Sequence, residues 1–231
     1  SKCTMFRRIL FACCLAASPA WTQAPSTQPK PKPAPNPVLA PVRDVEGLPR
    51  VLLIGDSISM GYTLPVRKLL EGKANVHRIP QNGGPTKNGL THLDRWLGQG
   101  KWDVIHFNWG IHDLKYMPDG LRQVEPADYE KNLRTLVARL QKTGARLIWA
   151  TTTPIPEGEL NPPRRFGSVK EYNDIALRVM KENNVHINDL NAHMTPEFER
   201  LHNPRDLHYG KEGYEFLGQK VAREIAAVLL P

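Results

Sequence analysis

The 231 residues are 40% hydrophobic and 23% charged, a balance that suits one globular domain with extensions. The formal charge of +8 is spread out without a Lys/Arg block, and no nucleic-acid motif accompanies it, so neither charge nor motif argues for a nucleic-acid partner. All three cysteines, Cys3, Cys13 and Cys14, lie near the start, which excludes disulfides and cysteine-held zinc from the rest. Beyond that first segment no stretch approaches the roughly 18 uninterrupted apolar residues of a membrane span.

Residues 1–24 read as an export signal: Arg7 and Arg8 precede the apolar run Ile9–Ala17, and small residues follow, with cleavage points after Ala20 or Ala24. That reading predicts a secreted or periplasmic protein. Residues 25–47 hold seven prolines and few bulky apolar groups, which predicts an extended linker. A domain over 48–231 follows.

Within it the pattern alternates. Val51–Ile54 is a short apolar run that breaks at Gly55-Asp56-Ser57 into an amphipathic segment reaching Leu70, so it predicts strand, tight turn and helix. Further strands are expected at Ala74–Ile79, Trp102–Asn108, Ala145–Thr151 and Val185–Asn188. Helices are expected at Thr86–Leu97, Pro126–Thr143, Val169–Asn183 and Gly213–Leu230. Repeated β–α units predict an α/β fold, a five-stranded parallel sheet covered by helices on both faces.

Ligands of open α/β sheets bind at the carboxyl edge of the strands. Four polar patches fall there. Gly55-Asp56-Ser57-Ile58 puts a hydroxyl at a helix start, where it can attack a carbonyl while its own N–H steadies the oxyanion; Asp56 or Ser57 acting only as a helix cap is the plainer reading. Asn82-Gly83-Gly84-Pro85-Thr86 follows the second strand, and its glycines let an N–H approach a substrate closely or simply make a turn. Asn108-Trp109-Gly110-Ile111-His112-Asp113 ends the third strand. Asp206-Leu207-His208 precedes the last helix, and from there an imidazole can reach back towards Ser57 as general base.

In order and spacing these patches resemble the SGNH hydrolases, also called GDSL esterases, over most of residues 50–220. Lys211-Glu212-Gly213-Tyr214 after the histidine and Tyr172-Asn173 at a helix opening add to the likeness. The resemblance implies a flavodoxin-like three-layer α/β/α sandwich, Ser57 as nucleophile and His208 as base. It implies oxyanion donors at the Ser57 N–H, the Gly84 N–H and a side chain of the third patch. Asp56, Asn82, Asn108 and Trp109 are further candidates for touching substrate, with Trp109 either stacking on a sugar ring or lying in the core.

Two positions depart from the family pattern. The third block carries His112 where the family has Asn. A neutral imidazole still donates one hydrogen bond, so His112 is expected as the third oxyanion donor; if it were protonated, activity would fall as pH rose through its pKa. Were His112 only a packing residue, Asn108 or Asn82 would remain as donors. The family acid stands three residues before the histidine, where this chain has Arg205; Asp206 is two before. Either Asp206 orients His208, or a Ser–His dyad works with a backbone carbonyl behind the imidazole.

Asp113 reads as a loop anchor and His106 as structural. His77, His92, His186, His193 and His202 lack metal-ligand spacing, so no metal or other cofactor is expected. The Pro-rich loop Thr151–Phe166 leaves the same edge and carries Arg164-Arg165, two cations that either meet an acidic sugar or are merely solvated. The expected substrate is a small acyl ester, foremost an O-acetylated carbohydrate. Lipid or thioester substrates, and a non-catalytic carbohydrate- or partner-binding module on the same fold, are the alternatives.

Overall fold

The computed structural model describes residues 34–230, so the expected export segment lies outside the described residues. Five parallel strands form one sheet in the order β2-β1-β3-β4-β5: β1 (Arg50–Ile54), β2 (Asn75–Arg78), β3 (Val104–Phe107), β4 (Arg146–Ala150) and β5 (His186–Asn188). The register sets Leu52 beside His77 and Ile105, and Phe107 beside Trp149. Central strands covered on both faces need continuous apolar sequence. Val51–Ile54 and Ile148–Ala150 supply it and are at most 2% exposed.

Helix α1 (Ser57–Leu69) and the final helix α7 (Lys211–Leu229) pack together on one face. Helices α2 (Thr86–Leu97), α3 (Pro126–Gln141) and α4 (Ser168–Glu182) form the layer on the other. This is the expected three-layer α/β/α sandwich, and each expected strand and long helix is found within a few residues of its expected bounds. Tyr129, Leu133, Leu136, Val137 and Leu140 do face the core from α3, as their spacing requires. Between β5 and α7 the chain makes α5 (Leu190–Met194), a 3-10 turn and α6 (Phe198–Leu201), which the sequence reading did not anticipate. Pieces of four or five residues carry too little periodicity to register.

The end of the expected linker docks on the domain. Residues 37–47 bind the domain: the Asn75 side chain accepts from Val45 N and donates to the Val45 and Leu48 carbonyls, Asp44 pairs with Arg50 and His77, and Arg67 donates to Pro37 O. Proline content removes backbone donors but leaves carbonyls free to accept, and these are used here.

Two glycines set the approach of α1 to α7. A Cβ on Gly61 would lie 2.0 Å from the Tyr214 ring, and one on Gly218 would lie 2.6 Å from the Pro65 Cβ. Alanine is better than glycine in a helix by about 1 kcal/mol. At Gly218 the facing proline ring is rigid, so overpacking decides the sign. Gly218→Ala is expected to destabilise by about 1–3 kcal/mol, read as a lower urea midpoint at unchanged slope.

Candidate active site

Ser57 is the first residue of α1, and His208 lies three residues before α7. Because those helices pack side by side, their beginnings meet at one rim of the sheet. There Ser57 Oγ donates to His208 Nε2 at 2.8 Å, although the residues are 151 apart in sequence. On the far side of the imidazole, His208 Nδ1 donates to Asp206 Oδ1, also at 2.8 Å. The side chain behind the imidazole is therefore a carboxylate and not the backbone carbonyl of a dyad. Burial pushes the Asp206 carboxyl up, but the hydrogen bonds from His208 and Leu207 N outweigh it and hold its pKa below the usual value.

A turn makes the two-residue spacing work. Arg205 adopts φ +57°, rare for a residue with a side chain, which reverses the chain just before Asp206. The loop is closed by Asp206 N to Asn203 O, Asn203 N to His208 O and a bridge between His202 and Tyr209.

The Ser57 turn is held from both sides. Asp56 is buried, and its Oδ1 accepts from Ile58 N at 2.9 Å. It is thus the cap of α1, the plainer of the two expected roles. Arg78, at the end of β2, sends its guanidinium to Ser59 Oγ and to the carbonyls of Gly55 and Asp56. That brace was missed. The available signal was an arginine in a strand expected to be buried, between His77 and Ile79.

The expected oxyanion donors fare differently. The Ser57 N–H makes no hydrogen bond among the described residues, as befits a first-turn amide. The Gly84 N–H is occupied: it donates to Asn82 Oδ1 at 2.8 Å in an Asx turn, and the Gly83 N–H donates to Gly55 O. Among the described residues the Asn82 Nδ2 has no hydrogen-bond partner, so it is an unspent donor. His112 is partly buried and feels the charges of Asp56, Arg164, Lys115 and His208, which sets it among the site residues. Burial lowers its pKa, so near neutrality it is an uncharged, single-proton donor. Asn108 has spent its amide on Ala150 O and Thr152 Oγ1. Trp109 is 1% exposed and wedged against Phe107, so stacking on a sugar is closed to it and the core reading holds.

Beneath these lies a buried scaffold. Asn173 grips Thr152 through both its N–H and its carbonyl. His106 is fully buried and accepts from Asn188 Nδ2, and desolvation lowers its pKa to about 3, so it stays neutral. Asp113 takes the Thr86 N–H and hydroxyl at the head of α2, where the helix dipole favours an acceptor. Its Oδ2 finds no partner. Among the described residues no three His, Cys, Asp or Glu side chains converge as metal ligands, and no helix is long and apolar enough to cross a membrane.

A serine, an imidazole and a carboxylate in one hydrogen-bonded line, at the carboxyl edge of a parallel sheet, form the kind of relay found in serine hydrolases. More narrowly, residues 53–216 match the GDSL-like lipase/acylhydrolase family, and the chain belongs to it, a family of carboxylic ester hydrolases. It is 28% identical over 137 residues to an arylesterase of Vibrio mimicus, a match covering 54% of this chain and 60% of that protein. Its fold superposes on a lipase/acylhydrolase from Enterococcus faecalis with TM-score 0.68 and 25% identity, over 80% of this chain and 98% of the other. It also shares the fold of Axe2, an acetylxylan esterase from Geobacillus stearothermophilus, with TM-score 0.64 and 21% identity over 79% and 95% of the two chains.

Burial raises the Asp113 pKa from 3.8 to about 7 against the hydrogen bonds from Thr86. Between those values the folded chain holds a proton that the unfolded chain has lost. Stability from this group is therefore greatest at low pH and falls as pH rises, until the cost is complete above about 7. Asp113→Asn keeps the acceptor for Thr86 and removes the titration. The Tm difference between variant and wild type should shift in the variant's favour from about pH 4.5 to about pH 8; a constant difference would place the Asp113 pKa elsewhere.

Proposed function

We propose that the chain is a serine esterase that removes small acyl groups, foremost acetyl, from carbohydrate outside the cytoplasm. The observation that carries the catalytic part is the line Ser57 Oγ to His208 Nε2 and His208 Nδ1 to Asp206 Oδ1. In the first step the imidazole takes the Ser57 proton as Oγ attacks the ester carbonyl. Asp206 keeps the tautomer that leaves Nε2 free and steadies the imidazolium. The oxyanion forms within reach of the Ser57 N–H, with His112 and the Asn82 Nδ2 as side-chain donors. Collapse expels the alcohol, which receives the proton from His208. Water, activated by the same imidazole, then releases the acid from Ser57.

The likeness in fold to an acetylxylan esterase supports acetyl as the acyl group, and the space along the rim supports a broad alcohol. Further along the same edge a groove of about 730 Å3 opens between the β4–α4 loop and α6. Thr151 and Arg205 stand in its wall beside the exposed ring of Phe166, a mixture that suits sugar rings. The charge and apolar pattern of residues 1–24 supports export.

Hydrolysis of short- and long-chain p-nitrophenyl esters beside acetylated xylan tests the reading. Ser57→Ala and His208→Ala should each lower kcat by about 10^4–10^6, and Asp206→Ala by less. Acetate release from polymer is expected; preference for long acyl chains would replace carbohydrate by lipid as substrate. Turnover unchanged in Ser57→Ala would leave a binding module. His112→Ala should cost about 10^2–10^3 in kcat, while His112→Asn, which keeps a donor, should cost far less. Because burial moves the loss of His112's charge below its ordinary 6.5, the ratio of wild-type to His112→Asn activity should stay flat from there upward in pH. A ratio falling in that range would show a charged donor instead.

A further inference from the structure

The loop between β4 and α4 drives one cation inward. Arg165 stays exposed over the Tyr116 ring, but Arg164 is only 8% exposed. A buried guanidinium ordinarily needs a carboxylate against it. Among the described residues Arg164 has none within ion-pair distance, although it lies in the field of Asp56 and Asp206. Its hydrogen bonds go to two carbonyls instead: Nε donates to Ile111 O at 2.9 Å and Nη1 to Pro162 O at 3.0 Å.

The Ile111 carbonyl belongs to the peptide unit that leads into His112. A peptide unit is a rigid plane, so holding its oxygen fixes where the His112 Cα stands. Neighbouring positions are secured from elsewhere: Asp113 by Thr86, and Gly110 O by Leu114 N. A second bond from the same loop, Tyr116 N to Pro163 O, straps residues 162–164 along 111–116. The bond from Arg164 thus fixes the peptide plane that enters His112, while Lys115 N to His112 O holds the plane that leaves it.

We propose that Arg164 is a positioning residue for ester hydrolysis, holding the Ile111–His112 peptide so that the imidazole meets the developing oxyanion. This rests on the reading of His112 as an oxyanion donor. Such donors act only when already placed, and a displacement of about 1 Å costs up to about 10^2 in rate. A planar fork that grips two carbonyls at once is not replaced by the single ammonium of lysine.

The experiment is a cycle of Arg164→Ala, Arg164→Lys, His112→Ala and the two double variants, assayed for kcat and KM on a short-chain p-nitrophenyl ester, with Ser57→Ala as control. Arg164→Ala should lower kcat by about 10–10^2 with KM nearly unchanged, and Arg164→Lys should fall between it and wild type. In the His112→Ala background neither change should lower kcat further. Guanidinium chloride well below its denaturing range should restore part of the activity of Arg164→Ala but not of the double variant. If Arg164→Ala does not fold, Arg164→Lys carries the same comparison. Losses that multiply between Arg164 and His112, or that fall on KM, would overturn the positioning role. So would a harmless His112→Ala, leaving the esterase reading intact. Full turnover in Ser57→Ala would instead remove the esterase reading itself.

Discussion

The close contact of α1 with α7 is the constraint on which the rest depends. Each helix brings one half of the hydrogen-bonded pair, Ser57 at its first turn and His208 just ahead of its start. A hydrogen bond of 2.8 Å between them tolerates little drift of either helix. Small residues lie where the helices cross. Gly61 receives the Tyr214 ring, and Gly218 receives Pro65. Packed cores resist continuous deformation, so the crossing is a fixed dimension. Strand order places both helices on one face, packing fixes their separation, and the separation permits the hydrogen bond between residues 151 positions apart.

The carboxylate shows how backbone geometry can stand in for sequence spacing. Asp206 is one residue nearer to the histidine than the family pattern has it, yet it reaches Nδ1. The left-handed Arg205 reverses the chain, and Asp206 Oδ1 then accepts from both His208 Nδ1 and Leu207 N. A left-handed conformation costs a residue with a Cβ about 1–2 kcal/mol. The hydrogen bonds at Asn203 and the bridge from His202 to Tyr209 hold the loop closed against that cost. Strain beside a reacting group is tolerable where the surroundings over-determine it.

The architecture was legible because it rests on periodicity. Apolar runs such as Val51–Ile54 and the spaced face of Pro126–Thr143 carry their burial in their pattern, and β–α alternation leaves few topologies open. The meeting of Ser57 with His208 was legible because both lie in polar patches at the carboxyl ends of strands or just before a helix, on one edge of the sheet. What stayed hidden was direction. Asp56 points along its own helix as a cap, and Trp109 turns into the core, though both stand next to residues that face the site. Neighbours on a loop share a location and not an orientation. Arg164 and Arg78 were hidden for another reason. A guanidinium, whether on a loop or at a strand's end, looks solvated until the carbonyls that receive it are brought there by tertiary structure.

Those two arginines, with Asp113, also explain how the rim stays ordered without regular structure. Loops at a sheet edge expose backbone groups that no ladder satisfies. Arg78 binds the carbonyls of Gly55 and Asp56, Arg164 binds those of Ile111 and Pro162, and Asp113 takes the amide of Thr86. Each brace joins segments far apart in sequence at points beside a polar patch. Each also buries an ionisable group, which the surroundings oppose: Arg78 falls to about 10 and Asp113 rises to about 7. Arg164 shifts downward for the same reason. Burial of charge is therefore concentrated in the braces of the rim, while His208 and Asp206 remain partly open to solvent. A site assembled from loops needs that division: buried charge to fix the frame, and accessible groups to meet the ester.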